Sequence, residues 1–340
     1  MSKQHEAATA FDEALVAATR AGLTENVHRG RICVVSADKT EVLFACGDIE
    51  APTFVRSTAK PLQAIASLLG GTADACGWDA RMLAMMAASH RGYPEQMAAL
   101  EEMLASSGVP EDALVFRATM PLSPSAREQW ARAGGQKRKL YHTCAGKHLG
   151  MLAWSRLAGW PLAGYAEPDH PAQQVIMRHV REWLGASADE WRIGRDGCGL
   201  PVAAVPLRQI ALGYARLACP DAAASREAAD AAAQVAAAMN AHPDLVEGPG
   251  RLASLLLADP NFVAKSGAQG LFAIGLRRER LGIAIHVTDG SEVAWPHIVM
   301  RLLPRLANVS EATMAALRAR FSAVIRNEAG AEAGRWEPLF

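Results

Sequence analysis

The sequence predicts an α+β fold, and three observations carry that expectation. Runs rich in β-branched and aliphatic residues stand near one end of the chain, at 30–38 and 40–48, and again near the other, at 261–265, 270–277 and 281–288. Between them, from 81 to about 257, the apolar residues recur mostly at helical spacing. Strands at both ends with helices between them suggest one antiparallel sheet of about five strands, flanked by helices, with a helical insert over about 80–258.

The totals narrow the class further. A chain of 340 residues buries a substantial core, as one large domain or two. Half of its residues are hydrophobic, 21% are charged, and the formal net charge is zero. That balance excludes a disordered, highly charged chain and offers no polycationic surface for nucleic acid. No apolar run approaches the roughly 20 residues of a membrane-spanning helix. Residues 1–23 are amphipathic and of mixed charge, without the apolar core and cleavage site of a secretory leader. The expectation is a cytoplasmic protein whose six cysteines are reduced.

In chain order, residues 6–22 read as a helix within an N-terminal extension over 1–24, and a single domain follows over 25–340. The runs 30–38 and 40–48 form a hairpin through Ala37-Asp38-Lys39. A tight turn at Ser57 leads into a helix to about Leu69, with Pro61 early in it, where a missing N–H does least harm. Further helices are expected at 80–88, 95–106, 148–158, 171–184, 203–217, 223–240 and 250–258. A last pair, at 291–306 and 310–327, closes the fold.

The chemistry centres on Arg56-Ser57-Thr58-Ala59-Lys60-Pro61. A serine hydroxyl needs a neighbouring base, and a partly desolvated lysine can lose its proton near neutral pH and serve as one. Ser57 and Lys60 are three apart, on one face of a helical turn. Alone, this S-x-x-K pattern is weak. Later in the chain, Val263-Ala264-Lys265-Ser266-Gly267 ends a strand, as K-[ST]-G does in serine-lysine acyl-transfer enzymes, and the ordered pair is far more specific.

Three other stretches gather polar residues and glycines. Ala88-Ser89-His90-Arg91-Gly92 ends an apolar helix, either as a polar cap or as a second hydroxyl for the site. His142-Thr143-Cys144-Ala145-Gly146-Lys147-His148 and Arg195-Asp196-Gly197-Cys198-Gly199-Leu200-Pro201 place two cysteines in separate glycine-flanked loops. Such a pair is open to two interpretations, zinc ligands or ordinary reduced thiols. His28-Arg29-Gly30 and Glu247-Gly248-Pro249-Gly250-Arg251 are further loop candidates, equally consistent with turn chemistry.

Taken in order, His28-Arg29-Gly30, Arg56-Ser57-x-x-Lys60-Pro61, Ser89-His90, Cys144-x-Gly146-Lys147-His148, Asp196-Gly197-Cys198-Gly199-x-Pro201 and Lys265-x-Gly267-Ala268 resemble the class 3, rhizobial-type L-asparaginases. The match covers roughly residues 25 to 300. The resemblance implies a serine β-lactamase-like or glutaminase-like α+β fold, a homodimer, and hydrolysis of L-asparagine to L-aspartate and ammonia through an acyl-enzyme. It pairs Ser57 with Lys60 and Ser89 with Lys265, Ser57 being the nucleophile. It implies one zinc per chain on Cys144, Lys147 and Cys198, with Asp196 beside the metal. Arg56, Arg29, His148 and Asp196 are then the candidates for holding the substrate.

The chain also departs from the family pattern. Arg91-Gly92-Tyr93 and Gln96 follow Ser89-His90, Thr143 precedes Cys144, Ser266 and Gln269 stand in the late motif, and Leu252-Ala253-Ser254 follows Arg251. These changes spare the hydrolytic residues and bear on the substrate. Two alternatives follow: a related hydrolase of another small amide, lactam or ester, and a non-catalytic module that binds zinc or an amino acid.

Overall fold

In a computed structural model that describes residues 12–223 and 225–340, the β-rich runs from the two ends of the chain meet in one antiparallel sheet. The strands, in chain order, are β1 (Glu13–Arg20), β2 (Leu23–Ser36), β3 (Val42–Cys46), β4 (Pro52–Phe54), β5 (Arg192–Arg195) and β6 (Pro201–Pro206). They continue as β7 (Phe262–Ser266), β8 (Leu271–Leu276), β9 (Leu281–Val287), β10 (Val324–Arg326) and β11 (Glu332–Pro338). The main sheet runs β10-β11-β1-β2-β9-β8-β7, with β3 also paired to β2, and a separate small sheet runs β4-β6-β5.

The helices are α1 (Lys60–Leu69), α2 (Thr72–Cys76), α3 (Ala80–Ala87), α4 (Pro94–Ser107), α5 (Pro124–Arg132), α6 (Ala145–Leu157) and α7 (Pro171–Leu184). After these come α8 (Leu207–Ala218), α9 (Arg226–Ala241), α10 (Pro243–Val246), α11 (Leu252–Leu257), α12 (Trp295–Leu306) and α13 (Glu311–Arg320). The α+β class holds, and the 30–48 hairpin pairs in the expected antiparallel sense, Cys33 opposite Ala45. No helix among the described residues is long and apolar enough to cross a membrane.

The N-terminal expectation is corrected. Residues 13–20 are not helical but form β1, while 1–11 lie outside the described residues. Alanine favours helix, yet Leu15 and Val16 are fully buried and β1 is hydrogen-bonded to β2 on one side and β11 on the other, so sheet pairing overrides local propensity. The turn that joins β1 to β2 is Ala21-Gly22, both with positive φ (51° and 77°), the geometry of a two-residue hairpin loop. At the other end, the helix expected over 310–327 stops at Arg320, and Val324–Arg326 instead pairs with β11. These additions take the main sheet from about five strands to eight. The stretch between β3 and β7 also holds the small sheet; β6 is buried at every position and so shows no alternation, and residues 203–206, expected to open a helix, lie in it.

Helix α8 lies directly on the main sheet. Gly275 and Gly282 face each other across β8 and β9. A Cβ at Gly275 would overlap the Tyr214 carbonyl, and one at Gly282 the Ala211 carbonyl, so only glycine admits the helix backbone at this distance. From that position Tyr214 donates its hydroxyl to the Thr58 carbonyl at 2.8 Å, tying sheet, helix and Ser57 turn into one body.

Candidate active site

The Ser57 turn is a single 3₁₀ turn, Arg56–Ala59, that runs without a break into α1, with Pro61 in its first turn as expected. Arg56 enters it at φ 45°, a left-handed conformation that costs energy for a residue with a side chain. The turn is held by Val55 N–H on the Ala203 carbonyl at 2.9 Å and by the bond from Tyr214. Ser57 is half-buried, and its hydroxyl makes no hydrogen bond to any described residue.

Lys60 is completely buried, and the hydroxyl it meets is not Ser57 but Ser89. Its Nζ lies 2.9 Å from Ser89 Oγ, 2.7 Å from the Ala88 carbonyl and 3.3 Å from the Thr143 carbonyl. Ala88 caps the C-terminus of α3, where carbonyls lack helical donors, so the amine is drawn inward to satisfy them. Burial pushes the Lys60 pKa below the usual lysine value, Lys147 pushes the same way, and Cys144 opposes them. Ser89 is fixed in turn by its own N–H on the Val246 carbonyl at 2.8 Å.

The partner of Lys265 also differs from the expected one. Lys265, on β7 and fully buried, is 2.5 Å from Glu247 Oε1, 2.9 Å from the Ser266 carbonyl and 3.4 Å from Ser266 Oγ. The same Glu247 oxygen accepts from Ser266 N (2.8 Å) and Ser266 Oγ (2.6 Å). Burial lowers the Lys265 pKa to about 8 against the pull of Glu247. Burial alone would raise that of Glu247, but Lys265 and Ser266 hold it at about 2. At neutral pH the two form an ion pair.

The two cysteine loops do come together. Cys144, Lys147 and Cys198 are all buried, and Cys198 lies within hydrogen-bonding reach of both Cys144 and Lys147. Gly146 makes this possible, because a Cβ there would overlap the Met85 carbonyl of α3. Cys198 as a donor, with the Lys60 and Lys147 amines nearby, holds the Cys144 thiol well below its usual pKa. Burial works against the Lys147 cation, yet Cys198, Cys144 and Asp196 together keep its pKa above the usual lysine value.

Asp196 Oδ2 lies 3.8 Å from Cys198 Sγ, and Oδ1 forms an ion pair with Arg56 at 3.1 Å. Arg56, Asp196 and Lys147 line one cleft with Gln63 and Met177. No cluster of three or more His, Cys, Asp or Glu side chains able to hold a metal occurs among the described residues. A metal between the cysteine loops would therefore depend on Lys147.

Two expected substrate contacts lie elsewhere. Arg29 is exposed on β2, and its guanidinium donates to the Asp12 carbonyl at 2.7 and 3.2 Å. His148 is fully buried, with Nδ1 2.6 Å from the Tyr165 hydroxyl, inside the protein rather than on the cleft. Glu247 was legible only as part of a glycine-rich loop. His90, whose Nε2 lies 2.7 Å from the His142 carbonyl and whose pKa burial lowers to about 4, had no distinguishing signal beyond following Ser89.

The divergent 91–96 segment has a structural task. Gln96 Oε1 accepts from Arg91 N and Tyr93 N, and its Nε2 donates to the Asp244 and Leu245 carbonyls, pinning the Ser89 loop to the loop of Glu247.

A family model described as L-asparaginase II matches residues 16–338 of the chain. No curated protein matches it at a significant level. Among solved structures, a putative β-lactamase from Bacteroides dorei DSM 17855 is 13% identical, with 80% of this chain and 92% of that one covered at a TM-score of 0.42. A β-lactamase from Mycobacterium bovis is also 13% identical, with coverages of 86% and 95% and a TM-score of 0.37. Mglu, solved in 4.3 M NaCl, is 15% identical, with coverages of 90% and 68% and a TM-score of 0.39.

Proposed function

Because the chain belongs to the L-asparaginase II family and is an amidohydrolase, we propose that its substrate is L-asparagine, cleaved to L-aspartate and ammonia through a serine acyl-enzyme. The observation that carries the mechanism is the surrounding of Lys60 Nζ. Two carbonyl oxygens, from Ala88 and Thr143, take two N–H groups, and the third neighbour is the Ser89 hydroxyl. A neutral amine with two donors engaged has its lone pair left for a hydroxyl proton.

In this reading a serine oxygen attacks the side-chain amide carbon while its proton passes to Lys60. The C–N bond then breaks, and the departing nitrogen takes a proton supplied from Lys265, leaving as ammonia. Water adds to the resulting ester, its proton returns to Lys265, and aspartate is released as Lys60 reprotonates the serine. Ser57, one turn before Lys60, is the nucleophile that the family resemblance implies. The contact between Lys60 and Ser89 favours a second reading, in which Ser89 attacks. Arg56 and Asp196, paired at the cleft, are the groups proposed to orient the substrate.

The proposal includes one zinc per chain on Cys144, Lys147 and Cys198. Two buried thiols and an amine suit zinc provided that Lys147 is neutral when it coordinates. Bound there, zinc would tie the two loops together and supply a Lewis acid beside the cleft. A homodimeric assembly and a cytoplasmic setting belong to the same reading.

The test is ammonia release from asparagine, glutamine and small amides, followed by trapping of the acyl-enzyme and mass-spectrometric mapping of the modified serine. An adduct on Ser57 supports the first reading and one on Ser89 the second. Release from other amides or esters but not from asparagine overturns the substrate.

A further inference from the structure

We propose that Glu247 is the positioning residue of this site, holding Lys265 as its proton donor; the inference rests on the amidohydrolase reading above and deepens it. Glu247 is fully buried, and a carboxylate there is tolerated only when paired and hydrogen-bonded, as it is by Lys265 and Ser266. One oxygen, Oε1, receives Lys265 Nζ, Ser266 N and Ser266 Oγ, while Oε2 is buried without a partner. The charge is thus concentrated on Lys265 and on the edge of β7, beyond which no strand lies among the described residues.

The residue before it completes the arrangement. The Val246 carbonyl receives the Ser89 N–H, so one dipeptide fixes a serine through its backbone and a lysine through its side chain. That dipeptide is itself clamped. Ser254 Oγ donates to the Gly248 carbonyl at 2.8 Å, and Gly248, at φ 112°, has no room for a side chain beside Tyr93.

The charge of one neighbour separates the two lysines. Lys265 Nζ has three acceptors, Glu247 Oε1, the Ser266 carbonyl and Ser266 Oγ, which suit the three N–H bonds of an ammonium. Lys60 likewise faces two carbonyls and a hydroxyl, but no carboxylate lies within hydrogen-bonding distance to hold its charge. The Glu247 anion is what makes the difference, so one lysine takes a proton from serine while the other gives one to the leaving nitrogen. The titratable and charged groups facing Lys265 are Glu247, Lys60 and Arg91, and Arg251 faces Glu247.

The experiment is Glu247→Gln, which keeps the side-chain shape and an acceptor for Ser266 but removes the charge. Expected are a fall in kcat of at least ~10-fold, a KM within about twofold of the wild type, and an alkaline limb of the kcat profile moved to lower pH. In a Lys265→Met background the same change should lower kcat no further, because the two residues act as one unit. An alkaline limb unmoved by Glu247→Gln, or an equal loss in the Lys265→Met background, overturns the proposal.

If Glu247→Gln does not fold, Glu247→Asp carries the test. Its shorter reach should move the limb in the same direction, and an unmoved limb overturns the proposal. A ¹⁵N NMR titration of Lys265 Nζ reads the coupling without substrate. Absence of ammonia release from the wild type defeats the asparagine reading, whereas an Nζ titration unaffected by Glu247→Gln defeats the role of Glu247.

Discussion

Lys60 Nζ lies 2.9 Å from Ser89 Oγ, although the sequence places its nearest serine three residues away at Ser57. The contact arises because the C-terminus of α3 delivers Ala88 and Ser89 together, and the lysine satisfies the carbonyl of the first and meets the hydroxyl of the second. Ser89→Ala should therefore lower kcat by at least about a thousandfold, and adding Lys60→Met should cost little more, since members of one catalytic unit are not additive. Steady-state ammonia release by the two single variants and the double variant checks this. Equal, multiplicative losses would mean that the two side chains act separately.

Gly146 is required by packing as much as by chemistry. Gly146→Ala would drive a methyl into the Met85 carbonyl of α3, the helix whose end carries Ser89. The expected cost is about 1–3 kcal/mol of stability, as for other overpacked cores, together with a loss of activity because both the cysteine loop and Ser89 must shift. Thermal melting paired with kcat measures it. A stable variant that has lost activity would separate site geometry from packing.

Much of this was legible beforehand, and the failures have physical causes. The amphipathic helices 171–184 and 80–88 and the strands near 262–287 follow periodicity that burial enforces, so the sequence shows them directly. The residues 13–20 do not, because an alanine-rich run reads as helix until its partners β2 and β11, distant in sequence, are known. In the site, residue types were visible and pairings were not. Lysine side chains are long enough to choose partners that only tertiary structure brings close, hence Lys60 with Ser89 and Lys265 with Glu247. Arg29 shows the opposite case: its motif is plain in the sequence, but the partner that β2 brings to its guanidinium, the Asp12 carbonyl, is not.

Asp196 joins the cysteine loop to the cleft, reaching Cys198 with one oxygen and Arg56 with the other. If zinc occupies Cys144, Lys147 and Cys198, Asp196→Asn should weaken its retention by roughly 10–100-fold, the usual cost of losing a group that orients a ligand. The same variant should raise KM by weakening the hold on Arg56. Elemental analysis after dialysis against graded chelator gives the first quantity, independently of activity. Metal content unchanged in Asp196→Asn, or no zinc in the wild type, would remove the zinc from the proposal.

Two histidines remote from the cysteine loops, His297 buried and His286 partly so, help set the acid side of the stability curve. Burial holds both His286 and His297 down to about 4, with Arg31 adding to the effect at the first and His28 at the second. Both are neutral when folded and take up protons more readily when unfolded, so the unfolded state binds more protons between about pH 4 and 6.5. Stability is therefore fully present above about pH 6.5 and falls as the pH drops toward 4, by roughly 2–3 kcal/mol for each residue. His297, stacked on Trp336 at 5.6 Å, can be replaced by glutamine with its polarity kept and its titration removed. Denaturant melts across pH 4–7 should show a shallower acid decline in His297→Gln than in the wild type, and parallel curves would show that His297 titrates alike in the folded and unfolded states.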